Sequence, residues 1–193
     1  MLSNQRSKFS IPDDITYLNC AYMGPLMKST EMAGIEGLKL KSTPWEMSVE
    51  DFFAPVQSLR SSFAELIDCR DPDRIALIPS ASYGLANAIQ NLIPKKGGNI
   101  ILVEHQFPSN VYPWQKWAAQ NHVHVHIVKP NPNLFSATDS INYEILSHIN
   151  DDTIAVGMGH IHWSDGRAFD LQAISEKTES CHAMLILDGT QSI

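Results

Sequence analysis

The chain has 193 residues, 44% hydrophobic and 18% charged, enough for one sizeable core and suited to a globular α/β protein. Fourteen Lys and Arg against 21 Asp and Glu give a formal charge of -7 with no block of like charge, so nucleic acid and anionic membrane are poor partners. Three widely spaced cysteines, Cys20, Cys69 and Cys181, form no CxxC pair, which argues against a disulfide framework and a structural zinc site.

The opening MLSNQRSKFS has no apolar signal-peptide core and no apolar run is long enough to span a bilayer, so a cytoplasmic protein is expected. Helices are predicted from Pro25 to about Lys41 and from Ser48 to about Ile67, joined by the turn Ser42-Thr43-Pro44. Residues 1–70 therefore form an N-terminal helical segment. From Arg74 onward short β-rich runs alternate with helical stretches, the rhythm of a βαβ fold. Strands are predicted at Ile75–Pro79, Asn99–Val103, His122–Val128, Thr153–Met158 and Ala183–Leu187, with helices near 83–93, 110–120, 140–149 and 170–178. Asp170 is a candidate N-cap for the last helix, and Asp139 or Ser140 for the one before it. Right-handed crossovers then make residues 71–193 a mostly parallel sheet flanked by helices.

In an open α/β sheet a ligand sits beyond the carboxyl ends of the strands, and four stretches there carry suggestive chemistry. In Ile75 to Gly84 an apolar run passes through Ser80-Ala81-Ser82 into a helix, whose N-terminus can take a phosphate with help from the Ser82 hydroxyl, or can simply be Ser-capped. Neither GxGxxG nor GxxxxGK[ST] is present, which argues against a dinucleotide or P-loop site. The run Ala183 to Leu187 ends in Asp188, either a cap or a charge aimed at a bound cation such as a protonated ring nitrogen. Between them, the loop Glu104 to Asn110 presents Phe107, which can stack on a flat ligand or plug the core. His160 to Gly166 offers polar-tipped His and Trp side chains that could line a pocket. In His122-Val123-His124-Val125-His126 three imidazoles share one face of a predicted strand, but no carboxylate or thiolate sits beside them; they read as the solvated face of a strand near the sheet edge, and no metal is expected.

Together and in this order, these stretches resemble the cofactor pocket of the class V aminotransferase family of pyridoxal-phosphate (PLP) enzymes, which includes cysteine desulfurases, selenocysteine lyases, isopenicillin-N-epimerase-like proteins and kynureninases. Tyr17 to Leu26 resembles the family's opening "YLNxAxxGPL" segment, which implies that Asn19 and Ala21 contact substrate. Ser80-Ala81-Ser82 matches its phosphate loop and implies that Ala81 and Ser82 hold the PLP phosphate. Glu104-His105 followed by Pro113-Trp114-Gln115 resembles the "EHxxNxxPWQ" block in a longer form, and Phe107-Pro108-Ser109 is similar to the kynureninase version, which makes Phe107 the residue stacked on the pyridine ring. His160 to Gly166 resembles "HVSNxxG" with His162-Trp163 in place of Ser-Asn, so His162 takes a position beside the cofactor. Asp188-Gly189-Thr190-Gln191-Ser192 resembles "DGAQS", which implies Asp188 against the pyridine nitrogen and Gln191 against the phenolic oxygen. A carboxylate there keeps the ring nitrogen protonated and the ring an electron sink.

The resemblance implies an incomplete PLP-dependent transferase large domain from an enzyme acting on an amino acid, a transferase or lyase that works as a homodimer. In the family the lysine that holds the cofactor follows the "DGAQS" block, so it is expected beyond Ile193, with this segment alone binding PLP weakly and catalysing little. The competing expectation is a non-catalytic α/β module that binds a phosphorylated ligand or a protein partner.

Overall fold

A computed structural model of the chain describes residues 3–131, 133 and 137–193, with the side chains of 137–139 left aside. It divides into two compact units, Met1–Ala76 and Leu77–Ile193.

The first unit is built on helices α1 (Lys28–Leu40) and α2 (Glu50–Leu66). Glu31 in the first turn of α1 and Lys39 in its last complement the helix dipole, and Pro44 opens a separate short 3-10 turn after it. Ahead of α2, the backbone N–H and hydroxyl of Ser48 both donate to Asp51 Oδ2, at 2.7 and 2.8 Å, and hold that carboxyl below its usual range. Arg60 ties α2 to the 3-10 turn Pro72–Arg74 through Asp73 Oδ1 at 2.9 Å and the Pro72 carbonyl at 3.1 Å. Among the described residues α1 buries none and α2 only Ala64, so Met32, Leu38, Phe52, Phe53 and Leu59 are exposed.

The second unit is a parallel sheet of order β2-β1-β3-β4, with β1 Asn99–Val103, β2 His124–Val128, β3 Thr153–Gly159 and β4 Met184–Asp188. Helices α4 (Tyr112–Gln120), α5 (Ala137–His148) and α6 (Leu171–Ser180) supply the crossovers between successive strands, and α3 (Ala81–Gln90) precedes β1. Side chains alternate along a strand, so Ile100 and Leu102 join Leu85, Ile89, Trp114 and Trp117 in one core layer. Ile101 and Val103 enter the opposite layer with Ile141, Ile145, Val156 and Ile174. The central strands β1 and β3 are covered on both faces, which is why they read as continuous apolar runs. Asp170 caps α6, its Oδ1 accepting the Ala173 N–H at 3.1 Å. Among the described residues no helix is long and apolar enough to cross a membrane.

Three local expectations need correction. Ile75–Pro79 is not a strand: Ile75 is extended, but none of the described residues pairs with the run, and Leu77 and Ile78 are exposed. An extended segment becomes a strand only through a neighbour's ladder bonds. The fifth helix starts at Ala137, so Ser140 is inside it instead of capping it; its hydroxyl is buried and bonds the backbone of Asn131, while the Asp139 side chain lies outside the described residues. His122 is in a left-handed turn (φ 56°) before β2, so only His124 and His126 belong to the strand. β2 is nevertheless an edge strand, as expected, and His126 stacks on His148 at 4.0 Å.

Candidate functional site

α3 is followed by a short connection from Gln90 to the start of β1 at Asn99, which brings the chain back to the amino ends of the strands. The start of α3 is therefore at the opposite, carboxyl edge, and the helix touches both β4 and the 3-10 turn Pro108–Asn110 that follows β1. Ser80 is extended (φ -165°, ψ 159°) and its Oγ accepts the Tyr83 N–H at 3.2 Å, a side-chain cap. Ala81 and Ser82 occupy the first two helical positions, both exposed. Their N–H groups make no hydrogen bond among the described residues, as expected for a first turn, and carry the positive end of the helix dipole.

The loop after β1 leaves the sheet under tension. Glu104 N–H donates to the Val128 carbonyl at 2.9 Å, and a hydrogen bond from Lys129 Nζ, 2.9 Å away, holds the Glu104 carboxyl below its usual range. His105 then adopts φ 59°, a left-handed conformation that suits glycine better than histidine. Phe107 follows with its ring half exposed. From the end of β3, His162 Nε2 lies 3.0 Å from the Glu104 carbonyl oxygen; a carbonyl only accepts, so Nε2 carries the proton. Nδ1 of the same buried ring is 3.0 Å from Ser164 Oγ. Trp163 Nε1–H donates to the next carbonyl, that of His105, at 2.7 Å, and its ring meets Phe107 edge to face at 5.5 Å and 87°. The segment presenting His162 and Trp163 is a tight hairpin: His162 N–H donates to Arg167 O at 2.8 Å and Gly166 N–H to His162 O at 2.9 Å, with Gly166 at φ 72°. Burial pushes the Asp165 carboxyl up, but the Arg167 N–H and its guanidinium, 2.6 Å away, outweigh it and leave Asp165 below its usual range.

Asp188 closes β4 opposite Gly159, and the Thr190 backbone N–H and hydroxyl donate to its Oδ1 at 3.0 and 2.5 Å. A Cβ at Gly159 would lie 3.0 Å from the Ile161 carbonyl, so glycine lets β3 turn into the His162 hairpin beside Asp188. Gln191 is half-buried in the turn that follows.

Thus Ala81, Ser82, Phe107, His162, Asp188 and Gln191 all belong to the carboxyl edge of one sheet, and the loops of Phe107 and His162 are in direct contact. Asn19 and Ala21 are in the first unit, exposed, with the Asn19 carbonyl accepting the N–H groups of Tyr22 and Met23 at 3.3 and 3.1 Å. Sequence reasoning treated Trp163 only as a general pocket liner and gave no role to Asn110, which is fully buried and accepts the Trp114 Nε1–H at 3.0 Å. The Asn-to-Trp spacing of one helical turn was the available signal; the Trp163 contact had none.

Residues 46–193 match the family described as Aminotransferase class-V. The chain belongs to the class-V aminotransferase family. Among curated proteins it is similar to the uncharacterized aminotransferase YcbU of Bacillus subtilis, 27% identical over 81% of this chain and 39% of that protein. It is also similar to the cysteine desulfurase SufS of Plasmodium falciparum, 25% identical over 70% of this chain and 26% of that one. Among solved structures, a C-DES mutant with glycine covalently linked to its PLP cofactor superposes with a TM-score of 0.82 at 20% identity, covering 98% of this chain and 50% of that one. The cysteine desulfurase CsdA of Escherichia coli gives 0.76 at 20% identity, covering 95% and 47%. This class-V chain therefore has the fold of those enzymes and spans half or less of the length of each.

Proposed function

We propose that the polypeptide containing this chain is a PLP-dependent enzyme acting on an amino acid, a lyase or desulfurase of the class-V type or an epimerase-like relative. The observation that carries the reading is the pairing, on one sheet edge, of a capped helix start with outward N–H groups at Ala81 and Ser82 and a strand-end carboxylate at Asp188. An anion suits the first and a protonated ring nitrogen the second, so the residues present fit PLP.

In this reading Ala81 and Ser82 bind the phosphate, Phe107 packs on the ring face, and His162 flanks the ring from its braced hairpin. Asp188 holds a proton on the ring nitrogen, with Thr190 fixing the carboxylate through Oδ1, and Gln191 faces the phenolic oxygen. Asn19 and Ala21 contact the amino-acid substrate. When bound, PLP supplies the electron sink for a carbanion at the substrate α-carbon. The anchoring lysine is proposed to follow the Asp188 to Ser192 block in the longer polypeptide. A cytoplasmic location and a homodimer complete the reading, the homodimer supported by large apolar side chains such as Phe52, Phe53 and Leu59 exposed on α2.

The test is an absorbance spectrum of the full-length protein with added PLP, before and after borohydride. A long-wavelength cofactor band that borohydride abolishes is expected. A full-length protein with no such band would instead be a non-catalytic α/β module.

A further inference from the structure

We propose that Trp163, assisted by His162, is a positioning residue that clamps the turn carrying Phe107 and sets the plane of the Phe107 ring. The inference rests on the reading of Phe107 as the residue that packs against PLP.

Phe107 is 46% exposed, and an aromatic ring on an exposed loop has no fixed plane of its own. The turn before it also passes through a left-handed residue, His105 at φ 59°, a conformation less favourable for histidine than for glycine. The surroundings here are specific. The two consecutive carbonyls at the turn, Glu104 and His105, are held by His162 Nε2–H at 3.0 Å and Trp163 Nε1–H at 2.7 Å. Trp163 then meets the Phe107 ring at 87°, the edge-to-face geometry that aromatic quadrupoles favour. The clamp is itself stiff, because Ile161 bridges Ala168 and the Asp165–Arg167 ion pair closes the hairpin. Phe107 thus stays 46% exposed while a neighbouring strand's loop fixes its tilt.

The experiment measures PLP affinity and the circular dichroism of the bound cofactor in full-length protein for wild type, Phe107→Ala, Trp163→Ala, the double variant and Trp163→Phe. Amide hydrogen exchange at residues 104–107 is followed without PLP. Trp163→Ala is expected to weaken PLP about tenfold and flatten the dichroism, while the double variant binds no more weakly than Phe107→Ala alone. Trp163→Phe, which keeps a ring edge and loses the N–H, should recover part of the affinity, and exchange at 105–107 should quicken in both Trp163 variants. Where Trp163→Ala fails to fold, Trp163→Phe carries the test, with about a threefold loss expected. Wild-type affinity in the Trp163 variants, or losses that add in the double variant, overturns the proposal. If Phe107→Ala leaves PLP binding unchanged while exchange at 105–107 still quickens in the Trp163 variants, the stacking reading of Phe107 is wrong and the clamp on the turn stands; unchanged exchange in those variants overturns the clamp itself.

Discussion

Asn110 and Trp114, four residues apart and both fully buried, are bonded, the indole N–H donating to Asn110 Oδ1 at 3.0 Å while the Asn110 amide nitrogen lies 3.5 Å from Gln106 Oε1. The pair anchors the far end of the loop that begins at the buried Val103, so Phe107 is presented between two buried points. Trp114 also lies over β3, where a Cβ on Gly157 would come within 2.4 Å of the indole ring.

Asn110→Ala leaves a buried indole N–H without an acceptor and opens a small void. A loss of about 1–3 kcal/mol is expected, read as a lower urea midpoint with unchanged slope. A midpoint equal to wild type would mean that the amide and indole are not bonded in solution.

Gly157→Ala forces the opposite fault. The ring plane of Trp114 cannot swing aside as a flexible chain end could, since it is fully buried among Leu85, Ile89 and Ile100, so overpacking of about 1–3 kcal/mol or more follows. Trp114→Phe in the Gly157→Ala background should relieve part of that loss; additive losses would contradict the contact.

Legibility in the sequence followed burial. Asn99–Val103 and Thr153–Gly159 read as strands because each is a continuous apolar run between polar turns, the signature of a strand covered on both faces. Ile75–Pro79 carries the same local signal and has no strand partner among the described residues, because pairing is a property of the neighbour and not of the run. A serine cap at the start of α3 and the carboxylate at Asp188 were legible from their places beside apolar runs, whereas the choice of Ser80 as the capping serine was not, since the helix begins at Ala81 and not near residue 83. The Trp163 bond to His105 was not, since the two residues are separated by 58 positions and no spacing rule reaches across a crossover.

His126 gives a pH dependence of known sign. Partial desolvation beneath the stacked imidazole of His148, together with the charge of that ring when protonated, holds His126 below its ordinary value although its side chain still meets solvent. Between the folded value and the ordinary one of about 6.5 the unfolded chain binds the proton more readily, so this contribution is fully present above about pH 6.5 and is lost as pH falls toward the folded value. Urea stability should therefore drop from about pH 7.5 to about pH 5, and His126→Gln should shallow that slope. His148→Gln should raise the His126 titration midpoint followed by NMR; an unmoved midpoint would remove His148 as a cause.

Ser80 and Ser82 separate capping from binding. Ser80→Ala removes the acceptor of the Tyr83 N–H and should cost about 1 kcal/mol of stability. Ser82→Ala removes an exposed hydroxyl from the first turn of α3, so stability should stay within about 0.5 kcal/mol of wild type while PLP binding by the full-length protein weakens. Equal PLP affinity in Ser82→Ala and wild type would leave the phosphate to the backbone N–H groups alone.

Asp188→Asn tests the charge at the end of β4 without changing its shape. The amide oxygen can still accept from the Thr190 N–H and hydroxyl, so the turn should keep its geometry and the chain its melting temperature to within a few degrees. The negative charge that keeps a ring nitrogen protonated is gone, however, and with it the electron sink for the substrate carbanion. In the full-length enzyme kcat should fall on the order of a hundredfold, the scale of losing one preorganised electrostatic partner, while PLP remains bound. Thr190→Val, which removes one of the two donors to Oδ1 and keeps the charge, should lower kcat far less. An Asp188→Asn enzyme with wild-type kcat would show that this carboxylate serves the turn and not the cofactor.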